Sequence, residues 1–306
     1  MTLTELRYIV AVARERHFGR AAEACFVSQP TLSVSIKKLE DELDVKIFER
    51  GANEVTVTPL GQEIVRQAQS VIEQAASIKE IAKRGKDPVS GPLKLGVIYT
   101  IGPYLLPDLV RQAIERVPQM PLMLQENFTS KLLEMLRTGE LDCAIMAEPF
   151  PDTGLAVAAL YDEPFVAAVP KSHALAKRKS VSTEELKSET MLLLGTGHCF
   201  RDHVLEVCPE YARFASDAEG IRKSFEGSSL ETIKYMVASG MGVTVVPQLS
   251  VPKDTQPHIR YIPFSRPAPT RRVVLAWRRT FTRYEAVAAL RNAIYACPLD
   301  GVHRLS

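Results

Sequence analysis

Apolar residues recur at helical spacing through the first ninety residues and at strand spacing in much of the remainder. Five of them line one face of a helix predicted over about Leu3–Arg14: Leu3, Leu6, Ile9, Val10 and Ala13. A second, short helix is predicted at about Gly19–Cys25. A third follows the break at Phe26–Ser28 and runs to about Leu43, with Ser28 or Gln29 as its cap and Pro30 in its first turn.

The third predicted helix has a polar outer face, and a strand-like stretch follows it. Gln29, Thr31, Ser33 and Lys37 lie on that face, and Glu54–Thr58 alternates like a strand. Glutamine and serine can bond base edges, whereas Lys37 can neutralise a phosphate. The pattern is typical of a winged helix-turn-helix. A helical hairpin with a solvated outer face is the alternative that these residues leave open.

A long helix is predicted from Pro59, capped by Thr58, to about Arg84. Its apolar residues alternate at spacings of four and three: Ile64, Ala68, Val71, Ala75, Ile78 and Ala82. Such a seam requires a partner helix. Because glycine and proline residues at 85–92 end the helix in a hinge, a coiled-coil dimer is favoured over a partner within the same chain.

From Leu93 onward, strands and helices alternate, which predicts an α/β region with a mostly parallel sheet. The first elements are a strand at Leu93–Ile98, a helix from Thr100 to about Arg116, a strand at Pro121–Glu126, a helix from Thr129 through Arg137 and a strand at Leu141–Met146. Thr100 and Thr129 therefore stand at strand-to-helix junctions, where a ligand crevice is expected. Each is either a plain helix cap or a contact to a polar ligand.

A second lobe is predicted to begin at Phe165–Pro170 and to include a helix and strand within 228–246. The chain then returns through Arg266 and a strand at Val273–Trp277, and it ends in an amphipathic helix at Tyr284–Cys297.

The stretch Gly195–Pro209, GTGHCFRDHVLEVCP, holds the residues with the most distinctive chemistry. Cys199 stands beside His198 and Arg201, surroundings that favour a thiolate at the start of a helix. Along an unbroken helix, Cys199 and Cys208 would be about 13 Å apart, and a disulfide needs roughly 5.5–6 Å. A bond between them would therefore require the helix to open.

Two other interpretations of this stretch remain open at the level of local sequence. Cys199 and His203 share one helix face and could bind zinc together with His198 and Cys208. Alternatively, both cysteines are ordinary half-buried residues.

Composition restricts the class of protein but not its partner. The 306 residues are 46% hydrophobic and 24% charged, which is typical of a globular protein large enough for two or three domains. No run of about 18 apolar residues exists, so no membrane span is expected. The charged residues in the amphipathic N-terminal helix predict a mature cytosolic start. Five scattered cysteines do not form a secreted disulfide framework, and the net charge of +2 identifies no ligand.

The stretch HFGRAAEACFVSQPTLSVSIKKLEDELDVKIFERGANEVTVTPLG resembles the winged helix-turn-helix of LysR-type transcriptional regulators. The match includes the AA pair, SQPTLS, the LE pair, FER and TPLG. The resemblance implies that Gln29, Pro30, Thr31 and Ser33 face bases and that Arg50 meets the DNA backbone near the wing. The family usually carries an arginine at the position of Asn53, which reaches into a minor groove, so the resemblance does not imply that contact here.

Within that family, the C-terminal region resembles the peroxide-sensing members, because GHCFRDHxxxxC stands at Gly197–Cys208. The resemblance implies that Cys199 is the peroxidatic cysteine and Cys208 the resolving one. It also implies a peroxide pocket, without metal or cofactor, formed by Thr100, Thr129, His198, Asp202 and Arg266. The fold implied for this region is a two-lobed α/β core like that of periplasmic binding proteins.

The expected architecture is therefore α+β and multidomain. A winged helix-turn-helix domain at 1–58 is followed by a dimerising linker helix and hinge at 59–90 and by a regulatory domain at 91–306. The lobes of that regulatory domain are expected at 91–162 plus 267–306 and at 163–266.

The predicted function is a cytoplasmic regulator that senses hydrogen peroxide through a reversible Cys199–Cys208 disulfide and controls antioxidant-response genes. Its expected partners are double-stranded promoter DNA, RNA polymerase, a cytosolic thiol reductant and further copies of itself in a homotetramer, a dimer of dimers. It is not expected to be a turnover enzyme. The alternatives are a LysR-type regulator that binds a small organic effector between its lobes, and a thiol peroxidase or zinc hydrolase with an accessory helical domain.

Overall fold

The computed structural model describes residues 1–50, 55–84, 89–151, 154–209, 224–227, 229–254 and 256–305. At 50, 79–84 and 224–227 only the backbone is described. Asn53, at the predicted wing tip, and most of the predicted hinge at 85–90 lie outside the described residues.

The N-terminal unit, which we call the head, is a three-helix core with a small hairpin. Its elements are α1 (Leu3–Glu15), α2 (Phe18–Ala24), α3 (Gln29–Leu43), β1 (Phe48–Arg50) and β2 (Val55–Val57). Side chains of Thr2, His17 and Ser28 cap the three helices, as short polar residues before apolar runs do. The strands pair antiparallel. The predicted helix-turn-helix and its wing strand are confirmed.

The linker helix α4 spans Pro59–Arg84, the bounds predicted from sequence. The Thr58 hydroxyl accepts a bond from the Gly61 amide at 2.9 Å, which starts the helix. Ala68 is buried in the head core and Val71 packs against it, whereas Ile78 is 70% exposed. The first half of the apolar seam is therefore used within the chain, and Ile78, in its second half, remains exposed.

A mixed sheet forms the centre of the regulatory region. Its strands are β3 (Leu93–Ile98), β4 (Leu122–Asn127), β5 (Cys143–Ala147), β6 (Leu155–Pro170), β9 (Thr244–Pro247), β10 (Ile259–Pro263), β11 (Thr270–Arg278) and β12 (His303–Arg304). A separate two-stranded parallel sheet is formed by β7 (Met191–Leu194) and β8 (Ser224–Gly227). The order along the main sheet is β10-β6-β11-β5-β3-β4, with β9 and β12 also paired to β6. β3 is parallel to β4 and β5, but β11 is antiparallel to β5 and β6. The prediction of a mostly parallel sheet was wrong, because the returning strand β11 inserts between β5 and β6.

Helices cover the sheets and complete two separate apolar cores. The helices are α5 (Gly102–Arg116), α6 (Thr129–Thr138), α7 (Thr183–Leu186), α8 (Cys199–Val207), α9 (Leu230–Ala238) and α10 (Tyr284–Tyr295), with short 3-10 turns at Ala174–Lys177 and Gln248–Ser250. We call the core built on β3, β5, β11, α5, α6 and α10 the first lobe. The core built on β7, β9, β10, α8 and α9 is the second lobe. β6 contributes to both.

Helices long and apolar enough to cross a lipid bilayer do not occur in the described part of the chain.

Candidate functional site

Three strand-to-helix junctions meet around one small cavity. Those after β3 and β4 belong to the first lobe, and the one after β7 belongs to the second. Nine of the described residues line the cavity: Ile98, Tyr99, Thr100, Asn127, Phe128, Thr129, Gly197, His198 and Cys199. Its volume is about 10 Å³, which leaves room for a water-sized molecule and excludes a larger organic compound.

Cys199 is the first residue of α8, and its thiol borders the cavity. The side chain is half-buried and packs against the core of the first lobe. Partial positive charge at a helix N-terminus favours negative charge on a group placed there. The thiol is therefore accessible to a small reactant and lies at the N-terminus of the helix.

The side chain of His198 makes no cap bond to the helix that it precedes, and its ring packs against two aromatic rings. Its ring is 4.8 Å from that of Phe128 and 5.9 Å from that of Tyr99, centroid to centroid. The preceding Gly197 has φ of +99°, a conformation that favours glycine, and a Cβ there would contact the Phe128 ring at 3.4 Å. The left-handed backbone at Gly197 thus lets His198 and Cys199 approach the first lobe.

Thr129 is the first residue of α6, where the sequence allowed either a plain cap or a ligand contact. The cap position belongs to Phe128, which makes no side-chain cap bond. The Thr129 hydroxyl oxygen is buried and has no hydrogen-bond partner among the described residues. Because the residue lines the cavity, its hydroxyl is free to bond a molecule bound there.

Thr100 lies before α5 and does not head it, contrary to the prediction. The helix begins at Gly102, and Ile101 occupies the cap position. The Thr100 hydroxyl instead accepts a bond from Arg271 Nη1 at 2.8 Å, and its carbonyl accepts one from Nη2 at 3.0 Å. Since the oxygen accepts from a guanidinium, the hydroxyl hydrogen can be donated into the cavity.

Arg271, and not Arg266, is the arginine that supports this site. Arg266 is exposed and does not line the cavity, which corrects its predicted place in the pocket. Arg271 on β11 is 2% exposed and pairs with Glu163 on β6 at 2.8 Å. Its guanidinium also lies 5.1 Å from the ring centre of Phe200, the residue after Cys199. Sequence reasoning missed this residue although Arg271 alternates with inward-facing Val273, a pattern that requires a buried partner for its charge.

Cys208 occupies the opposite end of α8, in a different environment. It is the C-cap residue, is 0% exposed and belongs to the core of the second lobe. The helix begins at Cys199 and ends one residue before Cys208, so the two Cα atoms, nine positions apart in the chain, are about 13 Å apart. Asp202, predicted to line the pocket, is exposed in the first turn of α8 and is not among the lining residues. Its carboxylate lies outside the cavity because the first turn of α8 directs it to solvent.

His203 ties the middle of α8 to the first lobe. Its Nε2 donates to the Glu148 carbonyl at 2.7 Å, and its Nδ1 is buried without a partner in the described chain. Burial lowers the pKa of His203. The zinc alternative is not supported, because His203 is committed to a carbonyl and Cys208 faces another core. No group of three or more histidine, cysteine, aspartate or glutamate residues able to hold a metal ion occurs within the described ranges.

The head presents a second candidate site on α3. Four of its predicted DNA-contacting residues are exposed, namely Gln29, Pro30, Thr31 and Lys37. The fifth, Ser33, is half-buried. Val34, 69% exposed on the same helix face, was missed from the sequence. An apolar side chain there could contact a thymine methyl group. Arg50 lies in β1, and its side chain is outside the described residues.

Two family models match the chain. One, described as a bacterial regulatory helix-turn-helix protein of the lysR family, covers residues 3–62. The other, described as the LysR substrate binding domain, covers residues 86–296.

Individual relatives match over almost the whole length. The chain is 39% identical over 292 residues to the DNA-binding transcriptional dual regulator OxyR of Escherichia coli K12, covering 94% of each protein. A solved full-length OxyR variant from Pseudomonas aeruginosa is similar, with 51% identity and a TM-score of 0.79 over 97% of this chain and 96% of that one. A hydrogen peroxide-bound OxyR mutant from Corynebacterium glutamicum shares 32% identity, with a TM-score of 0.63 over 96% of this chain and 91% of that one.

Proposed function

The chain belongs to the LysR family of bacterial transcriptional regulators, and we propose that it senses hydrogen peroxide through Cys199. The observation that carries this proposal is the cavity at the N-terminus of α8. It joins a thiol at a helix start to the unpartnered Thr129 hydroxyl in a space of about 10 Å³. Such a space fits a reactant barely larger than water.

The chemistry follows from the groups around that space. The Cys199 thiolate attacks one peroxide oxygen, the O–O bond breaks, and a sulfenic acid forms on Sγ while hydroxide leaves. Thr129 and Thr100 each offer a hydroxyl hydrogen where the leaving oxygen becomes negative. The Arg271 guanidinium polarises Thr100. The hydroxide takes up a proton and departs as water.

The sulfenic acid then condenses with the Cys208 thiol, which forms the disulfide and releases water. Because Cys208 lies in the other core at the far end of α8, the helix must unwind before the sulfur atoms meet. The change in α8 alters the packing between the lobes and thereby the arrangement of the heads. A cytosolic thiol reductant restores both cysteines by exchange.

The DNA side of the proposal rests on the head. Gln29, Thr31 and Ser33 would contact bases, with Pro30 packed against them. Lys37 and Arg50 would contact phosphates. The promoter-bound protein would act on RNA polymerase in the cytoplasm to control antioxidant-response genes.

Assembly as a homotetramer, a dimer of dimers, is part of the proposal. Exposed Ile78 on α4 supports pairing of linker helices as a coiled coil. Exposed Ile114 on α5 and Tyr235 on α9 offer further apolar surface for a second contact.

The proposed domain organisation keeps the boundaries 1–58, 59–90 and 91–306, with lobes at 91–162 plus 267–306 and at 163–266. The two cores joined by β6 support a periplasmic-binding-protein-like regulatory domain.

Thiol titration against stoichiometric peroxide tests the function. The reduced protein should lose two thiols rapidly, with a mass loss of two hydrogens in the peptide pair that contains Cys199 and Cys208. In Cys208→Ala, Cys199 should react at a rate within about threefold of wild type but gain one or more oxygens instead. Cys297→Ala, which removes another buried cysteine, is the matched control and should behave as wild type. Footprinting of both redox forms on promoter DNA should then give different protected spans.

Retention of all five thiols after peroxide would contradict the proposal and favour the organic-effector alternative. A cavity of about 330 Å³ between the lobes, bordered by Glu126, His198 and Ser229, is the place where such an effector would bind. Continued consumption of peroxide in the presence of a reductant, without an effect on DNA, would favour a peroxidase.

A further inference from the structure

A large cavity lies between the head and the first lobe and shares none of its described lining residues with the cavity beside Cys199. Its volume is about 860 Å³, within the roughly 300–1,000 Å³ typical of small-ligand sites. The head contributes the end of α1, strand β2 and the first turns of α4, and the first lobe contributes the end of α6 and residues next to β6 and β11. The recognition helix α3 contributes no lining residue.

Four arginines converge on this cavity: Arg16, Arg66, Arg137 and Arg279. No aspartate or glutamate lines it, and no ion pair joins any of the four to a carboxylate in the portion of the chain that is described. The neighbouring Arg278 shows the contrast, because it is held by Glu73 at 2.6 Å and by backbone carbonyls of the first lobe. Arg278 therefore has a structural role that the four converging arginines lack.

A smaller cavity of about 360 Å³ continues the same surface. It shares Arg66, Arg137 and Arg279 with the first cavity, and Glu63 is the one acidic residue among its described lining residues. Positive charge thus extends along both cavities. Four exposed like charges around one concave surface repel one another, and a multivalent anion relieves that repulsion.

Guanidinium groups recognise phosphate oxygens through paired hydrogen bonds. A site rich in arginine and poor in carboxylates can use these bonds to hold phosphate groups. One phosphate would meet only part of a cavity of this size, whereas a chain of phosphates can reach arginines on both walls. We propose that this cavity binds a polyphosphate chain, free or as part of a nucleotide. This would be a second input, beyond the peroxide-sensing function proposed above.

A ligand in this position would connect the head to the first lobe. Direct side-chain bonds between α4 and the first lobe include Glu73 to Arg278 and Ser77 to Thr282. A bound polyphosphate would add bonds from Arg16 and Arg66 on one side to Arg137 and Arg279 on the other. Because it binds only the arrangement in which both walls face each other, it stabilises that arrangement in proportion to its concentration.

Calorimetric titration of the full-length reduced protein with inorganic triphosphate, in phosphate-free buffer, tests the proposal. Wild type should bind one triphosphate per chain. The double variant Arg137→Glu, Arg279→Glu should bind at least about a hundredfold more weakly, since each lost charge-assisted contact costs roughly tenfold or more. The matched control Arg260→Glu, Arg291→Glu makes the same change in net charge at exposed positions outside the cavity and should bind as wild type.

Loss of two thiols on peroxide treatment checks that the double variant is folded and still senses. The proposal is overturned if wild type does not bind triphosphate, or if the cavity variant and the control bind it equally. It is also overturned if the cavity variant loses DNA affinity in triphosphate-free buffer and its salt dependence falls by about two phosphate contacts, because the arginines would then serve DNA. Adenosine triphosphate, titrated in parallel, identifies whether a free chain or a nucleotide is preferred.

Discussion

The two ends of α8 differ more than a nine-residue helix would lead one to expect. At its start, Cys199 is half-buried, borders a cavity and packs on the first lobe. At its end, Cys208 is 0% exposed and belongs to the core of the second lobe. The first end is accessible to a small molecule, and the second is enclosed by apolar packing. A reaction at Cys199 can therefore involve Cys208 only if packing in the core of the second lobe is broken.

The sharpest comparison is the alkylation rate of the two thiols in the reduced protein. Iodoacetamide should modify Cys199 at least about a thousandfold faster than Cys208, since an opening free energy of about 4 kcal/mol corresponds to that ratio. Peptide mapping by mass spectrometry at timed intervals gives both rates. Cys297, 1% exposed and with a pKa raised to about 11 by burial, should also be slow and serves as the internal reference. Comparable rates for Cys199 and Cys208 would show that the reactive and protected ends are not distinct.

The next effect concerns the reactive end alone. Thr129→Val removes the unpartnered hydroxyl at almost constant volume and should slow the peroxide reaction of Cys199 by about ten- to a thousandfold, the range for losing transition-state hydrogen bonding. Stopped-flow measurement of thiol loss gives the rate. Alkylation of Cys199 should change by less than about threefold in the same variant, because it needs only the thiolate.

Thr129→Ser keeps the hydroxyl and is the matched control for this substitution. It should react with peroxide at a rate close to that of wild type. If the peroxide and alkylation rates fell together in Thr129→Val, the hydroxyl would support the thiolate or the fold. If neither changed, Thr129 would play no part in recognising peroxide.

The smallest effect lies midway between the two ends, at His203. Burial, with a contribution from Arg271, lowers its pKa below the ordinary 6.5, although the bond to the Glu148 carbonyl and the charges of Glu206 and Asp202 oppose this shift. Below pH 6.5, His203 therefore binds a proton more readily in the unfolded chain than in the folded chain, which lowers the free energy of unfolding. The contribution of neutral His203 to stability is complete above pH 6.5 and is lost as pH falls.

The His203→Gln variant can donate to the Glu148 carbonyl without titrating and isolates this contribution. Between pH 7 and pH 5, wild type should lose roughly 1–3 °C of melting temperature relative to His203→Gln. Calorimetric scans at intervals of half a pH unit measure the difference. Parallel curves for the two proteins would mean that α8 is not held at its midpoint by a neutral imidazole.

Local signals in the sequence predicted the head and the linker helix well. The bounds of α4 matched because Thr58 and Pro59 form a start signal that needs no distant partner. The residues of α4 do not identify the helix that packs against its apolar seam, since α1 and a second copy of the chain present equally suitable apolar faces. In the structure α1 takes the first half of the seam, with Ala68 buried against it.

The pocket was predicted only in part, for a related reason. Thr129, His198 and Cys199 stand at junctions that the alternation of strands and helices marks, and the structure brings them together. Arg271 and Glu163 are far apart in sequence and meet because β11 pairs with β6 in one register. Spacing alone could not distinguish Arg271 from Arg266. Arg271 lies on the inward face of β11 and Arg266 does not. Which face of the strand points inward is known only when its pairing with neighbouring strands is known.

The late insertion of β11 sets the order in which this protein can form during synthesis. Val273 lies between Ala147 on β5 and Tyr161 on β6, so the sheet of the first lobe lacks its middle strand until the last tenth of the chain emerges. The head needs no residue beyond α4. At ribosomal speed, roughly 10–40 seconds pass between completion of the two units. A chain that terminates before β11 would keep a folded head but an incomplete first lobe. It would therefore compete for the same DNA without responding to oxidant.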